Sequence, residues 1–305
     1  MSNIIQTRNL SFSYSGKDKI LKDISFEVPR GSVYGFLGPN GAGKTTTIRV
    51  LLGLLFAGRE KVMIFDKFIE KHKIDIYKKI GALIEQPSLY NHLSAKENLE
   101  IVCIYRNMNP DRIPEVLDLV KLPVNSRKKV KAFSTGMKQR LGLAMALLPD
   151  PELIILDEPT NGLDPEGIRE VRDIIIDLNK KKNITIFLSS HLLSEIEKVC
   201  SHVAIINHGH LLFQGTIEHL RASKEANYRV LIETNDIEKA YSLLADKYRM
   251  QKSPENLYAN LRSKEDVSPL IDLLRSENII VYQIKNEIES LEDIFITLTK
   301  SDSHD

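Results

Sequence analysis

Three segments carry residue types suited to phosphate chemistry, and they occur in a fixed order. The first, Gly38-Pro-Asn40-Gly41-Ala-Gly43-Lys44-Thr45-Thr46, has glycines that let the backbone curl so that successive N–H groups face phosphate oxygens at a helix N-terminus. Lys44 adds a point charge for the β- and γ-phosphates of ATP, and the Thr45 hydroxyl is a ligand for Mg2+. Asp157 ends the hydrophobic run Leu153-Ile-Ile-Leu156, where a buried carboxylate is costly unless it serves a cation, and magnesium is the cation expected there. Glu158 follows immediately and, because strand side chains alternate, points toward where an attacking water would sit, which makes it the candidate general base. The middle segment in the chain, Phe133-Ser134-Thr135-Gly136-Met137, offers a hydroxyl, a glycine and a helix start. It is a second phosphate-binding element with no use beside the first cradle in its own chain, so it implies a dimer.

These residues need elements to hold them. Ser32 to Leu37 reads as a buried strand running into the glycine loop, and Thr45 to Leu55 as the helix leaving it. Leu153 to Leu156 and Ile184 to Leu188 are apolar without alternation, as in central parallel strands buried on both faces. A doubly wound α/β sheet follows. Alternating residues over Ile4 to Tyr14 and Ile24 to Val28, with turn chemistry at Ser15-Gly16, predict a small antiparallel β layer. Between Gln86 and Pro149 the pattern is helical, with Ser94 capping a helix over Ala95 to Arg106 and another near Ile113 to Val120. After about Gly215 the pattern restarts as strand, helix, two strands, helix and strand, a βαββαβ order that predicts a ferredoxin-like domain. A final helix near Leu291 to Thr299 and a polar tail over Ser301 to Asp305 close the chain. The expected fold is a P-loop ATPase core with antiparallel β and helical subdomains over 1–220, then a small α+β accessory domain over 221–305.

Composition narrows the partners. Forty-two basic against forty-one acidic residues leave a net charge of +1, which gives no global attraction for nucleic acid or an anionic membrane. The two cysteines, Cys103 and Cys200, match no metal spacing and read as reduced thiols. The longest apolar stretches, Val50 to Gly58 and Leu141 to Pro149, are about half of the roughly 20 residues a spanning helix needs. The N-terminus lacks the apolar core of a secretory signal. Any membrane part is expected from another chain. No Asn-Lys-x-Asp base-reading motif argues for a GTPase, since Asn179-Lys180-Lys181-Lys182 fails at its last position.

The motif set resembles the nucleotide-binding subunit of ATP-binding cassette (ABC) transporters over residues 1 to about 220. The resemblance implies that Ser134 and Gly136 cap the γ-phosphate of an ATP held by the opposite subunit. It implies that Gln86 contacts magnesium or water and reports nucleotide state to the membrane partner, that His191 is the switch residue at the γ-phosphate, and that Asp164 bridges the two sites. Tyr14 matches the aromatic that stacks on adenine, with Phe12 as a competitor on the same strand. The implied protein is a cytoplasmic ATPase, homodimeric or paired with a related chain, peripheral on the inner membrane face through a separate transmembrane permease. The spelling Ser-Thr-Gly-Met-Lys-Gln-Arg-Leu departs from the commonest Leu-Ser-Gly-Gly-Gln and is similar to subunits that export peptide antibiotics. A soluble cassette ATPase without a permease is the alternative. Phe56 to Phe65 lacks the family's Pro-Thr-Ser-Gly turn and reads as a shortened surface loop. The closing Ser290 to Phe295 is similar to the end of many exporter ATPases, with a regulatory, dimer-stabilising or packing role.

Overall fold

The computed structural model describes residues 2–16, 18–222, 228–253, 256–286 and residue 295. The chain divides into two compact units, Met1–Ile217 and Glu218–Asp305. In the first, β1 (Asn3–Thr7), β2 (Leu10–Phe12), β3 (Leu21–Ile24) and β4 (Glu27–Pro29) precede β5 (Val33–Leu37), which leads into α1 (Lys44–Leu51). Next come β6 (Val62–Ile64), β7 (Lys67–Phe68), α2 (Ile69–Tyr77), β8 (Ile80–Leu83) and the helices α3 (Ala95–Arg106), α4 (Ile113–Leu119) and α5 (Thr135–Leu147). The order ends with β9 (Leu153–Leu156), α6 (Pro165–Lys182), β10 (Thr185–Ser190), α7 (Leu193–Val199), β11 (His202–Asn207) and β12 (His210–Thr216), and α8 (Ile217–Ala222) runs across the boundary between the units.

The central sheet runs β12-β11-β5-β10-β9-β8, parallel throughout except for the β11–β12 pair. β5, β9 and β10 are buried along their whole length, which accounts for the absence of apolar–polar alternation in them. A second sheet, β4-β1-β6-β7, is antiparallel and packs on the first through an aromatic cluster. In it Phe26 lies 5.3 Å from Phe36, and Tyr34 stacks on Phe187 at 5.8 Å between ring centroids.

The antiparallel layer differs from the expected two strands. Ile4 to Tyr14 is broken after Thr7, where Asn9 takes a left-handed φ of 43°, and β1 and β2 enter different sheets. Ile24 to Val28 is likewise split, β3 pairing with β2 and β4 with β1, and the Ser25 hydroxyl accepts from the Asn9 N–H at 2.8 Å to tie the two breaks together. Phe56 to Phe65 is not all surface loop either. Val62 and Ile64 are buried in β6, with Ile64 opposite Ile5.

The helical insert is fastened to the sheet by close backbone approach. A Cβ at Gly81 of β8 would run into the Ala146 carbonyl oxygen of α5, and one at Gly142 would sit 2.7 Å from Pro87 Cβ. Ser94 caps α3 as expected, in a capping box with Glu97. Both cysteines are buried and free, and burial pushes the Cys200 thiol above its ordinary pKa.

The second unit contains β13 (Tyr228–Thr234), α9 (Ile237–Leu244), β14 (Arg249–Lys252), β15 (Leu257–Leu261), α10 (Val267–Ser276) and β16 (Val281–Asn286). Its sheet order β14-β15-β13-β16, antiparallel at every pair, is that of a ferredoxin-like split βαβ unit. Val230, Ile232, Leu257 and Ala259 alternate inward against Ala240, Leu244, Leu270 and Leu274 of the two helices. The expected last helix near Leu291 to Thr299, the Ser290 to Phe295 segment apart from Phe295 itself, and the tail Ser301 to Asp305 lie outside the described residues. Among the described residues no helix is long and apolar enough to cross a membrane.

Candidate functional site

The segments that follow the C-terminal ends of β5, β8 and β9 border a cavity of about 540 Å3, with β10 beside β5 and β9 in the sheet. In open α/β sheets this is where ligands bind. β5 delivers the glycine loop and α1, so the first N–H groups of α1 border the cavity. Two glycines in the loop are obligatory for shape. Gly43 adopts a φ of 109° and a Cβ there would lie 2.8 Å from Leu21 Cδ2, while a Cβ at Gly38 would meet the Ile206 carbonyl oxygen.

Lys44 is buried, with its Nζ 2.8 Å from the Gly38 carbonyl, 3.2 Å from that of Pro39 and 3.1 Å from Glu158 Oε1. Thr45 Oγ1 donates to Asp157 Oδ2 at 2.7 Å, across 112 positions of sequence. The other oxygen of buried Asp157 accepts from Ser189 Oγ at 2.6 Å. Ser189 is fully buried and also accepts from the Glu158 N–H at 2.9 Å, so one hydroxyl positions both neighbouring acids. Glu158 itself takes a left-handed φ of 48°, costing about 1 kcal/mol. That backbone turns its side chain away from Asp157 and onto His191 Nδ1, 2.6 Å from Oε2. Glu85, the last residue before Gln86, is left-handed too, with φ 58°.

The cavity thus gathers Tyr14, Asn40, Gly41, Gly43, Lys44, Thr45, Thr46, Gln86, Asp157 and Glu158, with Gly38 joined through Lys44 and His191 through Glu158. The two aromatic candidates separate. Tyr14 is exposed and borders the cavity, whereas Phe12 packs against the core and supports Tyr14 edge-on at 4.9 Å.

Ser134, Gly136 and Asp164 do not line the cavity. Ser134 caps α5 by accepting from the Met137 N–H at 3.2 Å, and Asp164 caps α6 by accepting from the Gly167 N–H at 2.9 Å. The two helix starts are neighbours, since a Cβ at Gly136 would lie 3.8 Å from Gly167 Cα. They form a separate surface of exposed helix N-termini.

Sequence reasoning did not single out Ser189, Gln139, Asn161 or Ile20, the last three of which line the cavity. A serine pair closing β10 after Ile186-Phe187-Leu188 was the available signal for Ser189.

The donor set around Thr45 and Asp157 is all oxygen, which suits a hard cation such as Mg2+. Among the described residues no three His, Cys, Asp or Glu side chains converge to hold a metal without help. This fits an ion that takes one carboxylate and one hydroxyl from protein and its remaining ligands from phosphate and water.

Residues 21–161 match the family model for the ABC transporter domain. The chain is 43% identical over 309 residues to the bacitracin transport ATP-binding protein BcrA of Bacillus licheniformis, covering 98% of both. It is 41% identical over 211 residues to the lantibiotic transport ATP-binding protein SrtF of Streptococcus pyogenes, covering 69% of this chain and 90% of that one. Among solved structures, cbiO1 of Clostridium perfringens, part of the ABC transporter complex cbiONQ, superimposes with a TM-score of 0.67 at 26% identity, over 81% of this chain and 97% of that one.

Proposed function

The chain belongs to the ATP-binding subunits of ABC transporters, ATP-hydrolysing proteins, and from that premise we propose that it powers a separate transmembrane permease exporting a peptide antibiotic or similar amphipathic molecule. The observation that carries the mechanism is the convergence of Lys44, Thr45, Asp157, Glu158 and His191 at one end of the central sheet. Lys44 and the loop N–H groups of Gly41 to Thr46 hold the ATP phosphates, and Tyr14 stacks on the adenine. Thr45, Asp157 and Gln86 would hold Mg2+, which would supply charge neutralisation on the phosphate oxygens. Glu158 accepts a proton from the attacking water, with the Ser189 hydroxyl fixing its backbone and His191 fixing its carboxylate. A phosphate on the loop competes with Glu158 for Lys44, so substrate arrival frees the base from its ion pair.

The paired helix starts at Ser134 and Asp164 face outward and offer N–H groups that the chain's own cavity does not use. They complete the site of a second subunit, so ATP joins two copies and its hydrolysis releases them. A permease-facing surface is supplied by the helical insert. Tyr90 precedes α3, and Ile104 and Tyr105 at its far end are 78% and 82% exposed, four to nineteen residues along from Gln86. A position on the cytoplasmic face of a membrane is the reading this surface supports.

Affinity purification of the chain from detergent-solubilised native membranes tests the reading. A polytopic membrane protein in stoichiometric amount is the expected companion. Recovery from the soluble fraction alone, or with ribosomes, would instead support a cassette ATPase that works without a permease.

A further inference from the structure

A second cavity, of about 320 Å3, lies between α6, α7 and the end of β10. Its floor is apolar: Leu188 and Ile175 are buried, and Ile168 and Val199 half-buried. Its rim is cationic. Arg169 and Arg172 on α6 and Lys198 on α7 all line it. These charges are poorly compensated. The Arg169 Nε is spent on the Pro165 carbonyl at 3.1 Å, and the carboxylate nearest Arg172 is Asp173 at 3.8 Å. Lys198 forms no ion pair among the described residues, and Glu195, the carboxylate in the lining, is engaged by the Thr160 hydroxyl.

A volume at the lower end of small-molecule sites, a hydrocarbon floor and an excess of cations over carboxylates in the lining, Arg169, Arg172 and Lys198 against Glu195, select one ligand class: a compact organic anion with an apolar body. The cavity also touches the chemistry of the ATP site. Its wall includes Ser189, whose hydroxyl holds Asp157 and the Glu158 backbone, and Thr160, two residues beyond Glu158. The Thr160–Glu195 hydrogen bond ties that segment to α7. A ligand gripping α6 and α7 together therefore bears on the strand end that positions both acids.

We infer that this cavity is a regulatory site for a small amphipathic organic anion, whose binding changes the rate of ATP turnover through Ser189 and the Thr160–Glu195 contact. The inference rests on the roles proposed for Asp157 and Glu158.

The test uses the full chain saturated with ATP and Mg2+, so that the nucleotide cavity is taken. 8-Anilinonaphthalene-1-sulfonate is the fluorescent probe and decanoate the competitor. Saturable binding at one site is expected, displaced by decanoate and weakened at least about tenfold in a double variant, Arg172→Glu with Lys198→Glu. In the wild type both anions should shift kcat by at least about twofold with little change in the KM for ATP. The double variant, altered only at surface charges, should keep its basal turnover and lose the response. Equal probe affinity in the two proteins would overturn the site. So would loss of binding when ATP drives two copies together, because the second copy would then be the occupant. Probe binding with no change in turnover would overturn its regulatory role. Because binding is read without reference to turnover, failure of the ATPase reading is distinguishable: turnover would be absent from both proteins while the difference in affinity stood.

Discussion

Glu158→Gln should hold ATP with at least wild-type affinity while steady-state hydrolysis falls at least about 10²-fold, the factor a positioned general base usually carries. The substitution keeps the size and the hydrogen-bonding reach of the side chain, so contact with His191 survives, and the Ser189 hydroxyl still fixes the backbone N–H. Removing the carboxylate also dissolves the ion pair with buried Lys44 and leaves that ammonium available to phosphate. Binding and turnover therefore move apart, which a merely structural role for Glu158 would not produce. Hydrolysis within a few-fold of the wild type, measured by phosphate release under saturating ATP and Mg2+, would remove Glu158 from the role of base.

Lys44→Ala should act on the other quantity. The ammonium sits on two loop carbonyls, where charge-assisted contacts to phosphate are worth about 1.5–3 kcal/mol, so affinity for ATP should fall about 10- to 10²-fold. Hydrolysis should fall with it if, as proposed, the same charge steadies the transferring phosphoryl group. A fluorescent ATP analogue titrated against both proteins reads the loss directly, and unchanged affinity would count against the loop as the phosphate cradle. Because Glu158 loses a buried partner, the thermal midpoint of the variant without nucleotide should be recorded in parallel; a modest change leaves the affinity result interpretable.

The parts of this site that were legible in sequence are those where chemistry forces residue type. A glycine loop between a buried strand and a helix, or a carboxylate pair closing an apolar strand, has few other uses, and Lys44, Thr45, Asp157 and Glu158 do meet at one cavity. The βαββαβ order of the second unit was legible because its inward residues alternate cleanly, as in Leu257, Ala259 and Leu261. What escaped was set by contacts distant in sequence. The turn at Asn9 that divides β1 from β2 depends on Ser25, sixteen residues away. β6 is three residues long and exists because β1 pairs with it. Ser189 is an ordinary serine until folding places it 2.6 Å from Asp157.

The claim that ATP is shared between two copies is tested most directly by measuring the mass of Glu158→Gln in solution by light scattering, with and without ATP. Each chain is 34.7 kDa, and ATP should convert that species to one of twice the mass. Adding Gly136→Asp to the same chain places a carboxylate at the exposed start of α5, where a Cβ meets nothing closer than 3.8 Å, so the fold is kept while a phosphate is repelled. The double variant should stay at 34.7 kDa with ATP still bound. A monomer of Glu158→Gln saturated with ATP, or a dimer indifferent to Gly136→Asp, would contradict the shared site.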